Sequence, residues 1–440
     1  MKSELVQKLA FALFSTVVAS TPDEVRIPTK EQSQSVPNHE ISTEIGSLSD
    51  DVIYKSEQEQ LVQSIQLNST SQNAPTAEDW HGRWSYEPVC TEFLEVLESE
   101  LCVYTNATFS HGRGISIFTT PKIAEEAAGL LPFHDAGVLE KRGINSPEGP
   151  WYTKELPGKG IGMLAKQDLK RGDLVTAFTP YLLAHAENVL TTMEREKFLQ
   201  IGLKQLPTAS QEHYLSLAKY YNDPSVVVQD VVKANAFEMQ VGGLMHLAVF
   251  PESSRLNHAC APNAQYYLES DMLTHVVRAA RPIARDEEIT IAYSPPFRPH
   301  NVRQEYLQDA FRFTCTCSRC QKGEATDQSL LEIHNLQQSL GNWAADSQAS
   351  VKQAERLVKV YLEEELDGFL DFAYGHAALT YNSMGSQRGT IKYAQLAAEA
   401  AALNHGPQSS NVKTWMNLMS DPMAHSSWRR RKDNPVVVVE

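Results

Sequence analysis

A chain of 440 residues with 42% hydrophobic and 8% aromatic side chains can build more than one core, which excludes a wholly disordered, collagen-like or fibrous protein. Its 39 Lys and Arg against 54 Asp and Glu give a net charge of −15, which argues against direct nucleic-acid binding and suits the attraction of basic peptides. No run of 18 apolar residues is present, so no membrane span is expected.

In chain order, Lys2 and Lys8 precede an apolar stretch, Leu9 to Ala19, with Val17 and Ala19 as small residues before a cleavage point. Residues 1–19 therefore have the shape of a secretory signal peptide, which would send the chain to the secretory pathway or the extracellular space. The sequons at Asn68 and Asn106 are compatible with that route, whereas the basic run Arg429–Lys432 would suit a nuclear signal in a chain that stays in the cytoplasm or nucleus. Residues 20–79 are rich in Ser, Thr, Gln, Asn and acids and read as a disordered leader; residues 1–80 hold 12 acidic and 5 basic side chains.

Ordered structure is expected from Trp80 onward. Cys90, Phe93, Leu94, Leu97 and Leu101 recur at helical spacing, which predicts an amphipathic helix over 88–101. A continuous helix would hold Cys90 and Cys102 ~18 Å apart, so a bridge between them requires the chain to stop and fold back. The segments from His111 and Pro157 share a Gly-basic-Gly-Ile core and read as turns feeding short strands, the second followed by a strand near Val175. A helical stretch follows at about 191–240, then strand patterns at 272–280 and 287–293. Beyond residue 326 the pattern is helical. Tyr374, Ala378, Tyr381, Gly389, Tyr393, Ala394, Ala397 and Gly406 have the spacing of one tetratricopeptide-like hairpin, although one such unit also reads as a plain helical cap.

Three of the six cysteines form Cys315-Thr-Cys317-Ser-Arg-Cys320, and a fourth, Cys260, lies in Asn257-His-Ala-Cys-Ala-Pro-Asn263. Thiolates in a CxCxxC array pair poorly with one another but converge readily on a tetrahedral Zn²⁺ with a fourth thiolate from elsewhere. The competing arrangement, three disulfides among six cysteines, has fifteen connectivities. Cys260, Cys315, Cys317 and Cys320 are taken as the metal ligands.

Four segments then resemble, in order, those of SET-domain protein lysine methyltransferases. They are Gly158-Lys-Gly160, Arg255 to Asn263, Asp286-Glu-Glu-Ile-Thr-Ile-Ala-Tyr293 and Phe311-Arg-Phe313 with the cysteines that follow. The set is most similar to the SET-and-MYND branch and its fungal relatives, over about residues 150–320. The resemblance implies an α+β chain: a SET-domain β-clip with a pseudoknot at 150–294, a post-SET zinc segment at 295–325 and a helical region at 326–440. Residues 80–149 form a preceding region of unclear fold. It implies S-adenosyl-L-methionine as cosubstrate, with Lys159 and Gly160 at the methionine part, Asn257 and His258 hydrogen-bonding it, Asn235 in contact with it, and Phe313 stacked on the adenine. Tyr293 would be the catalytic tyrosine beside the sulfonium. The partner would be a protein presenting a lysine, histone or not.

This sequence departs from that pattern in places. The MYND finger is missing, since 180–235 holds no cysteine. Phe311 stands where the branch often has tyrosine, and Asp286 where a glycine is usual. The glycines at 112–114 precede about 40 residues read as an added edge to the SET sheet. The expected activity is protein-lysine N-methylation; the alternative is a catalytically inactive SET fold used as a protein-interaction module, against which stand the intact Tyr293, Asn257 and His258.

Overall fold

The computed structural model describes residues 83–135 and 137–432, so the expected signal segment, the whole of the expected leader and the Asn68 sequon lie outside the described residues. Among those described, no helix is long and apolar enough to cross a membrane.

The first expected helix is absent. Residues 88–101 instead run as strand β1 (Val89–Cys90), a 3₁₀ turn and the approach to β2 (Cys102–Asn106). Most of the spaced residues still turn inward, with Leu101 buried and Leu94 and Leu97 packed against the same cluster, but Phe93 is 65% exposed and the backbone is not helical. Glu98 takes a left-handed φ of 49°, the chain reverses, and Cys90 and Cys102 face each other across the ladder and form a disulfide with Cα atoms 4.0 Å apart. The fold-back required for a bridge is thus present.

β2 pairs with β3 (Ile115–Thr119), which runs parallel to β7 (Leu182–His185) in a six-stranded sheet of order β1-β2-β3-β7-β9-β8, where β8 is Phe237–Val241 and β9 Leu244–Val249. The segment before residue 150 therefore extends a SET-region sheet, and its helix α1 (Pro121–Ala128) buries Ile123 and Ala127 in the same core as Met163, Val277 and Ile291. Arg113 locks this junction. Its guanidinium grips the Glu252 carboxylate at 2.7 and 2.8 Å and lies over the Tyr181 ring at 4.2 Å.

Three smaller sheets complete the β-structure. β4 (Trp151–Leu156) and β5 (Gly160–Ala165) form the hairpin expected at Gly158-Lys-Gly160. β6 (Leu174–Phe178) joins β12 (Thr274–Ala279) and β11 (Ala264–Glu269), and β10 (Asn257–His258) pairs in parallel with β13 (Thr290–Ile291). The predicted helical stretch at 191–240 is three helices, α2 (Thr192–Gln205), α3 (Thr208–Leu215) and α4 (Val227–Asn235). Pro207 interrupts the first two and Phe237 already belongs to β8.

The C-terminal region is a helical array: α5 (His300–Phe311), then α6 (Ala325–Gly341), α7 (Val351–Glu363), α8 (Leu370–Ser383), α9 (Gln387–His405) and α10 (Ser410–Ser420). The hairpin-spacing residues do build a packed helix pair, α8 against α9, where Gly389 leaves no room for a Cβ beside the Tyr381 ring. Neighbouring helices α7 and α10 flank the pair, supplying the stacking a lone unit lacks. Arg431, in the C-terminal basic run, is folded onto the end of α6: it lies 3.9 Å over the Trp343 ring and donates to the Leu340 and Asn342 carbonyls at 2.6 and 2.8 Å.

In the large sheet, buried His246 bonds Thr119 Oγ1 through Nε2 at 2.9 Å, and its Nδ1 lies 3.1 Å from the Leu244 carbonyl. Burial depresses its pKa to about 4, so it is neutral in the fold while the unfolded chain protonates near 6.5. Its contribution to stability is therefore complete above pH 6.5 and falls as pH drops toward 4. Between pH 7 and 5 this group should cost about 2 kcal/mol. Denaturant unfolding of the wild type and His246→Gln at both pH values checks this, since the glutamine variant should lose that part of the pH dependence.

Candidate active site and thiol cluster

The candidate site is built on β10 and β13, whose parallel register places Asn257 opposite Thr290 and His258 opposite Ile291. Two residues of ladder are too few to hold themselves, and side-chain amides complete the join. Asn263 accepts from the Thr290 N–H at 2.8 Å and donates to the Glu288 carbonyl at 2.9 Å and the Glu287 carboxylate at 3.0 Å. Asn257 donates to Glu288 Oε1 at 2.9 Å, and Lys159, at the β4–β5 turn, reaches Glu288 Oε2 at 2.6 Å. Glu287, Glu288 and Asn263 thus bind the two segments together, a role that the sequence pattern marked only as motif.

His258 is buried, with Nδ1 accepting the Tyr293 N–H at 2.8 Å and Nε2 lying 3.2 Å from Cys260 Sγ. A ring nitrogen that accepts an N–H carries no proton, so the proton sits on Nε2 and points at sulfur. Burial brings its pKa down to about 3, in agreement with a neutral ring. Tyr293 donates its phenol proton to the Leu256 carbonyl at 2.6 Å, and burial raises its pKa well above 10, so it stays protonated. The rings of Tyr293 and His258 are 5.4 Å apart; Phe313 lies 6.1 Å from His258 and 6.5 Å from Tyr293, and Phe311 4.9 Å from Tyr293.

Of the site residues expected from sequence, Asn257, His258, Tyr293 and Phe313 surround this join, with Lys159 tied to it through Glu288. Gly160 takes a φ of +69° with open space where a Cβ would stand. Asn235 is fixed in place through its side-chain amide. It is buried at the end of α4, and its amide nitrogen donates to the Ala218 and Val231 carbonyls at 2.7 and 2.8 Å. That anchors the loop carrying Tyr220, whose hydroxyl donates to the Asp309 carbonyl at 2.6 Å and whose ring lies 5.0 Å from the Arg312 guanidinium. Asn235 therefore steadies a strap that reaches the residue next to Phe313. The departure at Asp286 is also accommodated. This residue takes a left-handed φ of 65°, a conformation glycine adopts freely and aspartate better than most, and its carboxylate accepts from Tyr152 Oη at 2.9 Å.

Cys260, Cys315, Cys317 and Cys320 bring their sulfurs within 4.8 Å of one another, with Cys260 and Cys320 at 3.4 Å. A metal with ~2.3 Å bonds to four thiolates sets its sulfurs about 3.8 Å apart, so the cluster has the right size for a tetrahedral ion. The Cys260 N–H points at Cys317 Sγ at 3.4 Å. Side-chain hydrogen bonds from Cys260, Cys315 and Cys320 push the Cys317 thiol pKa down. Gln304 clamps Cys315, accepting from its N–H at 2.9 Å and donating to its carbonyl at 2.8 Å.

Arg319, inside the CxCxxC segment, is buried and donates to the Cys260 and Pro296 carbonyls, while its Nε lies 3.3 Å from buried Glu364 beyond the end of α7. It ties the thiol cluster to the helical region. Removing one partner of such a pair leaves an uncompensated buried charge, at a cost of about 3–5 kcal/mol.

Residues 160–294 match the family model described as SET domain. Among curated relatives, the chain is 27% identical over 184 residues to "Histone-lysine N-methyltransferase set5" of Schizosaccharomyces pombe, covering 41% of this chain and 54% of that protein. It is 31% identical over 154 residues to "N-lysine methyltransferase SMYD2" of Homo sapiens, covering 34% of each. A shorter match, 40% over 74 residues, links it to "Histone-lysine N-methyltransferase ASHR1" of Arabidopsis thaliana, covering 17% of this chain and 15% of that one. The alignments thus span between about a seventh and about half of these relatives' lengths. The chain carries a SET domain similar to those of the Set5 and SMYD2 lysine methyltransferases.

The two cysteine classes make a chemical prediction. Alkylation of native protein without reductant should leave a Cys90–Cys102 linked peptide, and Cys260, Cys315, Cys317 and Cys320 should label only after a chelator is added. Cys317→Ser should bind less metal than the wild type when both are assayed by atomic absorption; a variant with equal metal content would contradict the ligand set.

Proposed function

We propose that the protein is an S-adenosyl-L-methionine-dependent protein-lysine N-methyltransferase with a structural Zn²⁺ on its four clustered cysteines. The observation that carries the reading is the convergence of Tyr293, His258 and Phe313 on one join of two strands, with the Tyr293 hydroxyl committed to the Leu256 carbonyl. The four-thiolate set suits zinc because soft thiolates in a tetrahedral array prefer it, and a neutral His258 donating to Cys260 would temper the cluster's charge.

The cosubstrate supplies a methyl group on a sulfonium, an electrophile that needs alignment more than acid–base help. The chain's own residues meet that need. Tyr293 Oη, with its proton directed at Leu256, still presents an electron-rich oxygen toward developing positive charge. The rings of Phe311 and Phe313 shield this region from water and offer a face for the adenine. Asn257 and Lys159 would meet the polar end of the methionine part. The lysine nitrogen gains the methyl carbon as the carbon–sulfur bond breaks, the sulfur keeps the electron pair, and the amine's proton passes to solvent. The net charge of −15 favours a substrate lysine in a basic context, histone or not.

The test is transfer of a labelled methyl group to a mixture of basic proteins. Tyr293→Phe should slow it by about a hundredfold or more while S-adenosylhomocysteine affinity is retained. A phenylalanine variant as active as the wild type would sink the assignment of Tyr293.

A further inference from the structure

Glu288 holds two nitrogen donors at once, one amide and one ammonium, and lies two residues before the Thr290 backbone that pairs with Asn257. One carboxylate oxygen accepts from Asn257 Nδ2 at 2.9 Å and the other from Lys159 Nζ at 2.6 Å. The contact passes directly over Gly162. A Cβ there would lie 2.9 Å from Asn257 Nδ2, 3.2 Å from Glu288 Oε1 and 2.5 Å from Leu156 Cδ1. Gly162 is therefore required by close approach. Unlike Gly158 and Gly160, it does not have a positive φ.

A primary amide has two chemically opposite ends, and a carboxylate can only accept. With Glu288 on one side, Asn257 must present its N–H₂ there, and its Oδ1 is turned away as an acceptor. We propose that Glu288 is a positioning residue that sets the polarity of Asn257, so that Oδ1 receives the ammonium at the amino-acid end of the cosubstrate. The inference rests on the methyltransferase reading and adds to it a residue outside the expected set. Without Glu288 the amide can rotate and offer N–H₂ to an ammonium, which repels it. Lys159, held by the second oxygen, keeps the carboxylate from swinging away from Asn257.

The test is calorimetry on zinc-loaded protein with two ligands, S-adenosylhomocysteine and methylthioadenosine, which share the adenosine but differ in the amino-acid end. Glu288→Ala should weaken S-adenosylhomocysteine about five- to tenfold and leave methylthioadenosine within about twofold. Glu288→Gln, which retains an acceptor, should recover most of the loss. In an Asn257→Ala background, Glu288→Ala should add nothing, since its effect runs through that amide. Gly162→Ala, which wedges the pair apart independently, should reproduce the selective loss if Glu288→Ala folds poorly. Equal weakening of both ligands, or additive losses in the double variant, would overturn the proposal and leave Glu288 a strand anchor. A folded, zinc-loaded wild type that binds neither ligand would overturn the methyltransferase reading itself.

Discussion

The grip of Asn257 and Asn263 on Glu288, Glu287 and Thr290 is the constraint on which the rest of the site depends. The parallel pairing of β10 with β13 is two residues long, and such a ladder supplies too few backbone hydrogen bonds to fix two distant segments of chain. The amides substitute for the missing ladder. They do so in a partly buried setting, where an unmade bond would cost about 1–3 kcal/mol per group, so the register is specified sharply. Tyr293 and His258 inherit their positions from it: one follows β13, the other lies in β10, and the Tyr293 N–H bonds the His258 ring.

The thiol cluster is the second fixed point, and it couples three parts of the molecule. Cys260 comes from the strand join, the CxCxxC segment from the region after α5, and Arg319 within that segment reaches Glu364 in the helical array. A buried arginine–glutamate pair contributes little net stability against an apolar alternative, but it is strongly directional. Its effect here is to set how the helices meet the cluster, while Gly406 packed against Tyr267 sets how they meet the sheet. The same molecule holds a disulfide at one edge and four reduced thiols at its centre, and a bound metal would reconcile the two by masking the thiols from oxidation.

Much of this was legible in the residues. The two glycine-rich turns, the strand near Val175, the breakdown into helices after residue 326 and the four converging cysteines all follow from local chemistry: turn residues, β-branched runs, 3.6-residue periodicity and thiol spacing. The helix expected over 88–101 failed for an instructive reason. Its apolar spacing does mark burial, of Leu94, Leu97 and Leu101, but burial alone does not make a helix, and the partners that matter, Cys102 and Thr119, lie across strands. Asn235 shows a different limit: its amide nitrogen donates to the Ala218 and Val231 carbonyls, a use visible only once the loop is folded back on α4.

By itself the sequence determined which chemical groups the chain possesses and, through their order and spacing, the class of fold that brings them together. Only the tertiary structure decided what each group touches. That Glu288 is shared between Lys159 and Asn257, that Gly162 is bare so this contact can pass, and that Asp286 stands in a left-handed turn are facts of packing, the first of them joining residues 129 positions apart. Spacing along a chain constrains neighbours within a turn or a strand. Contacts over such separations are fixed by how whole elements pack, and no local pattern encodes them.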